Sequence, residues 1–250
     1  MILTIPNYRV LCHFSCGAAS AIATKLAIEK YGKSRVSILH IEIKEEHSDN
    51  KRFLSECQEW FGVPINTVGN DKFGRSIYKV FERGYLKGIH GAPCTTELKR
   101  KVRAEYQQEN DIHVFGYTLD EKQRAWDFED RNPELKVDFI LIDKLIKKSD
   151  CYSLLMKAGI ELPTMYKLGY NNNNCIGCVK GGMGYWNKIR KDFPEQFNKM
   201  ASIERQVGHS ILRDNGIPLF LDELDPNRGR IEDEPDIECS FFCREIGKDW

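Results

Sequence analysis

The chain has 250 residues, of which 41% are hydrophobic and 30% charged, a composition typical of a globular protein with a sizeable core. Its 37 Lys and Arg balance its 37 Asp and Glu, which excludes a global positive field that would recruit nucleic acid. No apolar run reaches the roughly 18 residues of a membrane span, and the N-terminus has no signal-peptide pattern. We therefore expect a cytoplasmic protein without a membrane partner.

The first strand and helix are predicted within residues 8–27. Tyr8 to Phe14 is a short, mostly apolar run, typical of a buried strand, and alanine-rich sequence with helical spacing follows it. Six small residues fill the turn between them: Ser15, Cys16, Gly17, Ala18, Ala19 and Ser20. Such a turn directs backbone N–H groups and the positive end of the helix at one point, which suits a phosphate or sulfate. Close packing of helix on sheet would explain the same small residues.

Strands and helices continue to alternate up to about residue 160. We expect strands at 35–43, 64–68, 112–117 and 137–142, and helices at 49–61, 73–86, 94–109 and 149–158. Asp49 is the expected N-cap of the second helix. This alternation predicts an α/β fold with a mostly parallel sheet covered on both faces. Ligands bind such sheets at the carboxyl ends of the strands, where the 15–20 turn lies.

The sequence changes character near residue 160, where we place a domain boundary. Residues 184–208 have a helical pattern that Pro194 interrupts. The acidic stretch 222–238 contains Pro226 and Pro235 and predicts a loose, solvated segment.

The nine cysteines, an odd number, favour reduced thiols and a metal site over a disulfide framework. Cys175 and Cys178 form a CxxC in a glycine-containing loop, and Cys239 and Cys243 form a CxxxC further on. Two such pairs suit zinc or an iron–sulfur cluster, although one CxxC alone can be a redox pair. Three others lie in predicted core segments and are interpreted as small hydrophobic residues: Cys12, Cys57 and Cys151.

The turn at 15–20 resembles the PP-loop of the adenine-nucleotide α-hydrolase superfamily, which is SGGxDS in ATP pyrophosphatases and closer to SxGxxS in sulfonucleotide (PAPS/APS) reductases. Cys16 replaces the first glycine and Ala19 replaces the aspartate, which favours the reductase branch. The resemblance extends over about 8–243. It implies a Rossmann-like, doubly wound nucleotide-binding domain at 1–160, a cysteine-rich helical extension at 161–250, and PAPS, APS or ATP as substrate.

Cys94 and the basic run after it, which includes Lys99 and Arg100, resemble the segment that follows the third strand in these reductases. The resemblance implies that Cys94 is a metal ligand and that the basic side chains contact phosphates, whereas an ordinary solvated helix face would also be basic. Family members with a cluster have two adjacent cysteines there, and this chain has one. A [4Fe–4S] cluster held by four cysteines would then need a tail residue, for which we expect Cys243. A three-cysteine cluster and zinc are the alternatives.

Two further segments carry the resemblance. Gly116 to Arg124 is similar to the strand end that lines the nucleotide cleft, with Arg124 as the expected anion contact. Glu238-Cys239 resembles the ECGxH tail that carries the catalytic cysteine of the reductases, which implies that Cys239 is the nucleophile. Residues 240–242 replace the glycine and histidine of that tail, so metal ligation by Cys239 is the alternative.

The resemblance implies an enzyme of sulfur metabolism. Our main expectation is thiol-dependent reduction of an adenylyl sulfate, with a thioredoxin-like or other thiol as the donor. The alternatives are an ATP-dependent adenylating sulfurtransferase acting on nucleic acid or a small molecule, and a non-catalytic nucleotide-binding protein. Ala19 counts against the sulfurtransferase, and the altered tail around Cys239 counts against the reductase.

Overall fold

A computed structural model describes residues 8–88 and 91–234. The chain forms two compact units. Among the described residues, the first contains 8–41, Ser48–Val68 and Glu105–Lys167. The second contains Glu42–His47, 69–88, 91–104 and 168–234. These units do not follow the expected boundary at residue 160, because the helices within 69–104 pack with the C-terminal part of the chain.

The first unit is built on a five-stranded sheet. Its strands are β1 Val10–His13, β2 Val36–Ile41, β3 Ile65–Val68, β4 Ile112–Val114 and β5 Lys136–Asp138. They are parallel and lie in the order β3-β2-β1-β4-β5. The predicted α/β fold with a mostly parallel sheet is confirmed. Because the strand order reverses between β1 and β4, the carboxyl ends of these two strands flank the crevice where doubly wound folds bind ligands.

The helices follow the predicted pattern with local changes. They are α1 Ala18–Tyr31, α2 Asn50–Phe61, α3 Ile77–Phe81, α4 Lys101–Tyr106, α5 Lys122–Arg131, α6 Ile140–Asp143, α7 Lys148–Lys157, α8 Thr164–Lys167, α9 Met183–Asp192 and α10 Pro194–Val207. The core of the first unit lies between α1 and the sheet, where Ala21, Ala23 and Ala27 are buried. Their small side chains allow the helix to approach the strands closely. Within the described ranges, no helix has the length and apolar character needed to cross a membrane.

Three expectations for the first 160 residues were wrong in detail. The strand expected at 137–142 stops at Asp138, and α6 begins two residues later. Asp49 precedes α2 without capping it through its side chain. Its carboxylate instead accepts hydrogen bonds from Arg52 and from the N–H of Thr164, which lower the pKa of Asp49 well below its usual range despite partial burial. The helix expected at 73–86 is reduced to α3.

The second unit contains the helices around the CxxC and a β-hairpin. Pro194 begins α10, so the predicted break in the 184–208 pattern is confirmed. The hairpin joins β6 Leu212–Asp214 to β7 Ile217–Leu219 in antiparallel register. Asn215 and Gly216 form its turn with φ of 48° and 83°, the left-handed conformation that an Asn-Gly turn supplies. We did not predict this hairpin, although the Asn-Gly pair is its sequence signal.

Candidate functional site

The turn after β1 is organised by the hydroxyl of Ser20. Its Oγ accepts hydrogen bonds from the backbone N–H of Ser15 at 3.2 Å and of Gly17 at 3.3 Å, and donates to the carbonyl of Gly17 at 2.9 Å. The backbone N–H of Ala18 donates to the Tyr166 hydroxyl at 3.4 Å. These neutral groups fix the loop without placing an acidic side chain in the first turn of α1. The positive end of this 14-residue helix is therefore suited to an anionic ligand.

Cys16 contributes its backbone to the loop, while its thiol lies in the core. Its φ is 54°, a left-handed conformation that glycine adopts with less strain. The side chain is fully buried, with Sγ 3.7 Å from Nδ1 of His40 and 3.9 Å from the carbonyl of Asn50. The loop therefore keeps the turn that a glycine would make, and the cysteine side chain is buried in the core.

Gly116 allows the end of β4 to approach the loop. A Cβ on Gly116 would lie 2.6 Å from the backbone nitrogen of Ser20 and 2.9 Å from the carbonyl carbon of Ala19. These are backbone atoms that cannot move aside without shifting the first turn of α1. The structure thus brings Gly116 and the 15–20 turn together, and their role in binding a nucleotide stays a prediction.

Two histidines beside this loop were missed in the sequence. His13 ends β1 and His113 lies on β4, and their rings approach with Nε2 of His13 3.0 Å from Nδ1 of His113. Both are buried, and the ring of Phe115 stacks on His13 at 4.2 Å. In the sequence, the only signal was that each histidine lies in or next to the end of a predicted strand. Their proximity depends on the pairing of β1 with β4, which the sequence does not show.

Arg124 lies on the first turn of α5, in the same unit as the loop. Its guanidinium pairs with Glu121 and lies over the ring of Tyr117, 5.1 Å from the centroid. The side chain is 20% exposed. Arg124 is thus paired with Glu121 and still accessible to solvent. Its role as an anion contact stays a prediction.

Lys99 and Arg100 belong to the second unit, where the chain from Thr95 to Arg100 is a π-helix that continues into α4. The N–H of Lys101 accordingly donates to the carbonyl of Thr96, five residues earlier. Inserted π-turns are rare in proteins overall, but those that occur are often found at functional sites. The wider turn leaves Lys99 buried at 7% exposure. A uniformly solvated basic face therefore does not describe this run, and the phosphate contacts of Lys99 and Arg100 stay a prediction.

Lys101, an exposed member of the same run, has an acidic partner that it shares with Arg83. Glu97 accepts hydrogen bonds from Lys101 at 2.9 Å and from Arg83 at 3.0 Å. Burial opposes ionisation of Glu97, but the two cations outweigh it and lower the pKa of the carboxyl. Much of the positive charge at the surface of this segment is thus balanced locally.

The CxxC loop is buried and held by one tyrosine. Cys175 is 3% and Cys178 5% exposed. The fully buried hydroxyl of Tyr185 accepts hydrogen bonds from the N–H groups of Gly177 at 3.1 Å and Cys178 at 2.9 Å, and donates to the carbonyl of Cys175 at 3.3 Å. Burial, followed by the proximity of Cys178, raises the pKa of Tyr185. The hydroxyl therefore stays protonated and fixes the loop.

Glu45 connects this loop to α3. Its carboxylate accepts hydrogen bonds from the Ser76 hydroxyl at 2.5 Å and the Ile77 N–H at 2.9 Å, and its carbonyl accepts one from the Ile176 N–H at 2.8 Å. The hydroxyl of Tyr78 lies near Glu45 and Cys175. Burial, reinforced by these two groups, raises the pKa of Tyr78 to about 12.

Three other described cysteines behave as core residues. Cys12, Cys57 and Cys151 are fully buried. Burial raises the pKa of each thiol, to about 12 for Cys151. Thiols protonated at neutral pH are poor nucleophiles and metal ligands, which agrees with their interpretation as small hydrophobic residues.

The donor set for a metal is incomplete in the described part of the chain. Within 8–88 and 91–234, no three His, Cys, Asp or Glu side chains are grouped as ligands of one ion. Cys175 and Cys178 fit half of a thiolate site, because both are buried and have CxxC spacing. Cys94 is buried at the start of the π-helix, and its role as a ligand stays a prediction. Cys239 and Cys243, the expected nucleophile and fourth ligand, lie outside the described residues.

The similarity of this chain to known proteins is found among solved structures. No family model matches the sequence, and no curated protein matches it. Among solved structures, the chain is similar to U34-tRNA thiolase NcsA from Methanococcus maripaludis with its [4Fe-4S] cluster, with a TM-score of 0.42 and 13% sequence identity. The match covers 81% of this chain and 72% of that one.

Proposed function

We propose that the protein is an adenine-nucleotide-binding enzyme of sulfur chemistry with a PP-loop at residues 15–20. One observation carries this proposal: the Ser20-organised turn lies at the N-terminus of α1, at the reversal of strand order, against Gly116. A turn of small residues, a helix N-terminus and a close backbone approach are the elements with which α/β folds hold nucleotide phosphates.

The cysteine pair in the second unit supports a metal centre as the other component of the proposal. We assign Cys175 and Cys178 as ligands of a [4Fe–4S] cluster, with Cys94 and Cys243 as further ligands and zinc as the alternative metal. Such a cluster would supply thiolate-bound iron able to bind sulfur. The protein itself supplies a fixed loop that is shielded from water. Tyr185 fixes the loop backbone, and the cysteine pair is buried.

Of the two reactions, we favour ATP-dependent adenylation followed by sulfur transfer over reduction of an adenylyl sulfate. Transfer requires a nucleotide loop and a protected sulfur-handling centre, and the described residues contain candidates for both. Reduction requires Cys239 as a mobile nucleophile, and the residues after it depart from the reductase tail. In the favoured reaction, an acceptor oxygen attacks the α-phosphorus of ATP and releases pyrophosphate. A sulfur nucleophile then displaces AMP from the activated acceptor.

Product analysis tests this choice. Protein purified without oxygen is incubated with ATP together with RNA or small-molecule acceptors, and separately with adenylyl sulfate or its 3′-phosphate plus a thiol. Pyrophosphate release that depends on an acceptor supports transfer, whereas sulfite release supports reduction with a thiol donor. Calorimetry with the same nucleotides tests the binding step. If no adenine nucleotide binds, the proposal is wrong for both reactions.

A further inference from the structure

Tyr166, on α8, places its hydroxyl against the 15–20 turn. The hydroxyl accepts the N–H of Ala18 at 3.4 Å, from a position 148 residues further along the chain. A Cβ on Gly17 would lie 3.2 Å from this hydroxyl oxygen, 3.5 Å from Oγ of Ser15 and 3.9 Å from Oγ of Ser20. Three hydroxyl groups therefore surround the point where Gly17 has no side chain, and one of them belongs to the exposed Ser15.

Two charged residues at the start of α2, Asp49 and Arg52, hold the chain just before this tyrosine and are here called the clasp. Oδ1 of Asp49 pairs with Arg52 at 2.7 Å, and Oδ2 accepts the Thr164 N–H at 2.9 Å, where α8 begins. The guanidinium of Arg52 also donates to the carbonyls of Glu161 and Leu162, each at 3.3 Å. The clasp thus fixes residues 161–164 to the N-terminal turn of α2.

Packing holds the tyrosine ring itself. Met165, its neighbour in the chain, is 1% exposed. The ring of Tyr166 packs against the core of the first unit, with its centroid 5.3 Å from that of the Tyr152 ring. The clasp and this packing act on the same four-residue helix. The ring is therefore held in place from both sides, and an anion that enters the turn meets the hydroxyl there.

The other groups at the turn favour an anionic ligand within reach of this hydroxyl. The first N–H groups of α1 have no acceptor within the helix, and the first turn of α1 has no acidic residue. A tyrosine hydroxyl can donate one hydrogen bond while it accepts another. Because hydrogen bonds to an ionised acceptor are about twice as strong as those between neutral groups, a phosphate oxygen is the acceptor that this arrangement favours.

We propose that Tyr166 binds a phosphate group of the nucleotide at the 15–20 turn, by donating its hydroxyl proton to a phosphate oxygen while it accepts the Ala18 N–H. Asp49 and Arg52 are then positioning residues of the same site, because they place α8 without touching the ligand. This inference rests on the proposed function, since the phosphate is that of the adenine nucleotide proposed there.

Calorimetry on the full-length protein tests this contact with ATP and with adenosine, which has no phosphate. The variants are Tyr166→Phe, which removes only the hydroxyl, and Asp49→Asn, which removes the negative charge of the clasp. Tyr8→Phe is the matched control, because it also removes a partly buried hydroxyl from the first unit, one that Arg35 binds at 2.6 Å before β1 begins. Urea unfolding of each variant shows whether it is folded.

We expect Tyr166→Phe to bind ATP roughly ten- to a hundredfold more weakly than the wild type, as for the loss of a hydrogen bond to a charged group. Its affinity for adenosine should not change. Asp49→Asn should weaken ATP binding by a smaller factor, and Tyr8→Phe should bind ATP like the wild type.

Wild-type affinity for ATP in folded Tyr166→Phe would overturn the contact. Tighter ATP binding would overturn it too, because the hydroxyl would then compete with the phosphate for the Ala18 N–H. An equal loss of affinity for ATP and adenosine would make Tyr166 a structural residue only. Should Tyr166→Phe fail to fold, Asp49→Asn decides in the same way. In each case the proposed function stands as long as the wild type binds ATP, whereas a wild type that binds no adenine nucleotide overturns both.

Discussion

The N-termini of α1 and α9 both present unpaired backbone N–H groups and the positive end of a helix dipole, but different groups interact with them. In α1, the loop is fixed by the hydroxyls of Ser20 and Tyr166, and the first turn has no acidic residue. In α9, the carboxylate of Glu234 occupies the first N–H groups. The first arrangement keeps the positive end of a helix for an external anion, whereas the second uses it to fix a distant part of the same chain.

The comparison shows how the proposed ligand site at α1 differs from an internal contact of similar chemistry at α9. Hydroxyl groups can orient a backbone without neutralising the helix dipole, so phosphate binding remains favourable at α1. A carboxylate both orients and neutralises, so the N-terminus of α9 is satisfied before any ligand arrives. The small residues at both helices serve close approach: Gly116 admits Ser20, and Gly184 admits Arg230.

The largest effect is expected from Gly116→Ala, which should abolish the site at α1. The new Cβ would lie 2.6 Å from the backbone nitrogen of Ser20 and would displace the first turn of the helix. Overpacking should cost about 1–3 kcal/mol of unfolding free energy, and nucleotide affinity should fall by about a hundredfold or more. Urea unfolding and calorimetry measure the two effects.

The control for Gly116→Ala is Gly208→Ala, where φ is +69° and no heavy atom lies within 4 Å of the new Cβ. Its left-handed backbone should cost about 1–2 kcal/mol, but nucleotide affinity should not change. If both variants bind nucleotide equally well, the close approach at Gly116 does not shape the site.

Glu204 should make the stability of the second unit depend on pH. This buried carboxylate of α10 accepts hydrogen bonds from the N–H groups of Ile211 and Leu221. Burial raises the pKa of Glu204 to about 7, against the lowering effect of these hydrogen bonds. The folded state therefore holds this proton more tightly than the unfolded state, whose Glu pKa is about 4.3. This contribution, up to about 4 kcal/mol, is complete below pH 4.3 and is lost as the pH rises through 7.

The measurement is the unfolding free energy in urea at pH 5 and pH 8. Wild-type protein should lose more stability than Glu204→Gln over this range, because the glutamine does not titrate. Glu195→Gln, at an exposed position of the same helix, should keep the wild-type pH dependence. Parallel pH profiles for wild type and Glu204→Gln would show that the buried carboxyl does not couple folding to pH.

Tyr185→Phe should weaken the second unit by about 2 kcal/mol. It leaves the buried N–H groups of Gly177 and Cys178 without their acceptor, and an unsatisfied buried donor costs about 1–3 kcal/mol. Any metal at the CxxC should also be removed faster by a chelator. Tyr78→Phe is the matched control, because the buried Tyr78 hydroxyl has no hydrogen-bond partner among the described residues. Equal stability of the two variants would contradict the role of Tyr185.

Arg124→Ala should have the smallest effect, a roughly tenfold weaker binding of nucleotide, about 1.4 kcal/mol. The unfolding free energy should change little, since the ion pair of Arg124 with Glu121 is partly exposed. Arg131→Ala, on the same helix beside Asp127, should leave affinity unchanged. Unchanged affinity in both variants would leave Arg124 as an ordinary helix-surface residue.

The sequence by itself determined the elements whose signals are local. The apolar run before Ser15 and the alanines after it specify a buried strand, a tight turn and a closely packed helix, because side-chain spacing and small volume act within a few residues. Pro194 similarly separates two helices through its own backbone geometry. The CxxC, too, is visible as a motif within four positions of the sequence.

Only the tertiary structure decided the long-range contacts around the N-termini of α1 and α9. Gly116 meets Ser20, His13 meets His113, and Glu234 meets Gly182 across separations of 50 to 100 residues along the chain. No local sequence pattern encodes such pairs. A glycine next to a strand end has the same sequence context whether or not another backbone approaches it. An acidic stretch likewise gives no sign that donors elsewhere in the chain bind its carbonyls. The physical reason is that strand order and close backbone approach depend on the packing of the whole unit, whereas a buried strand, a tight turn or a proline at a helix start is signalled by residues close together in the sequence.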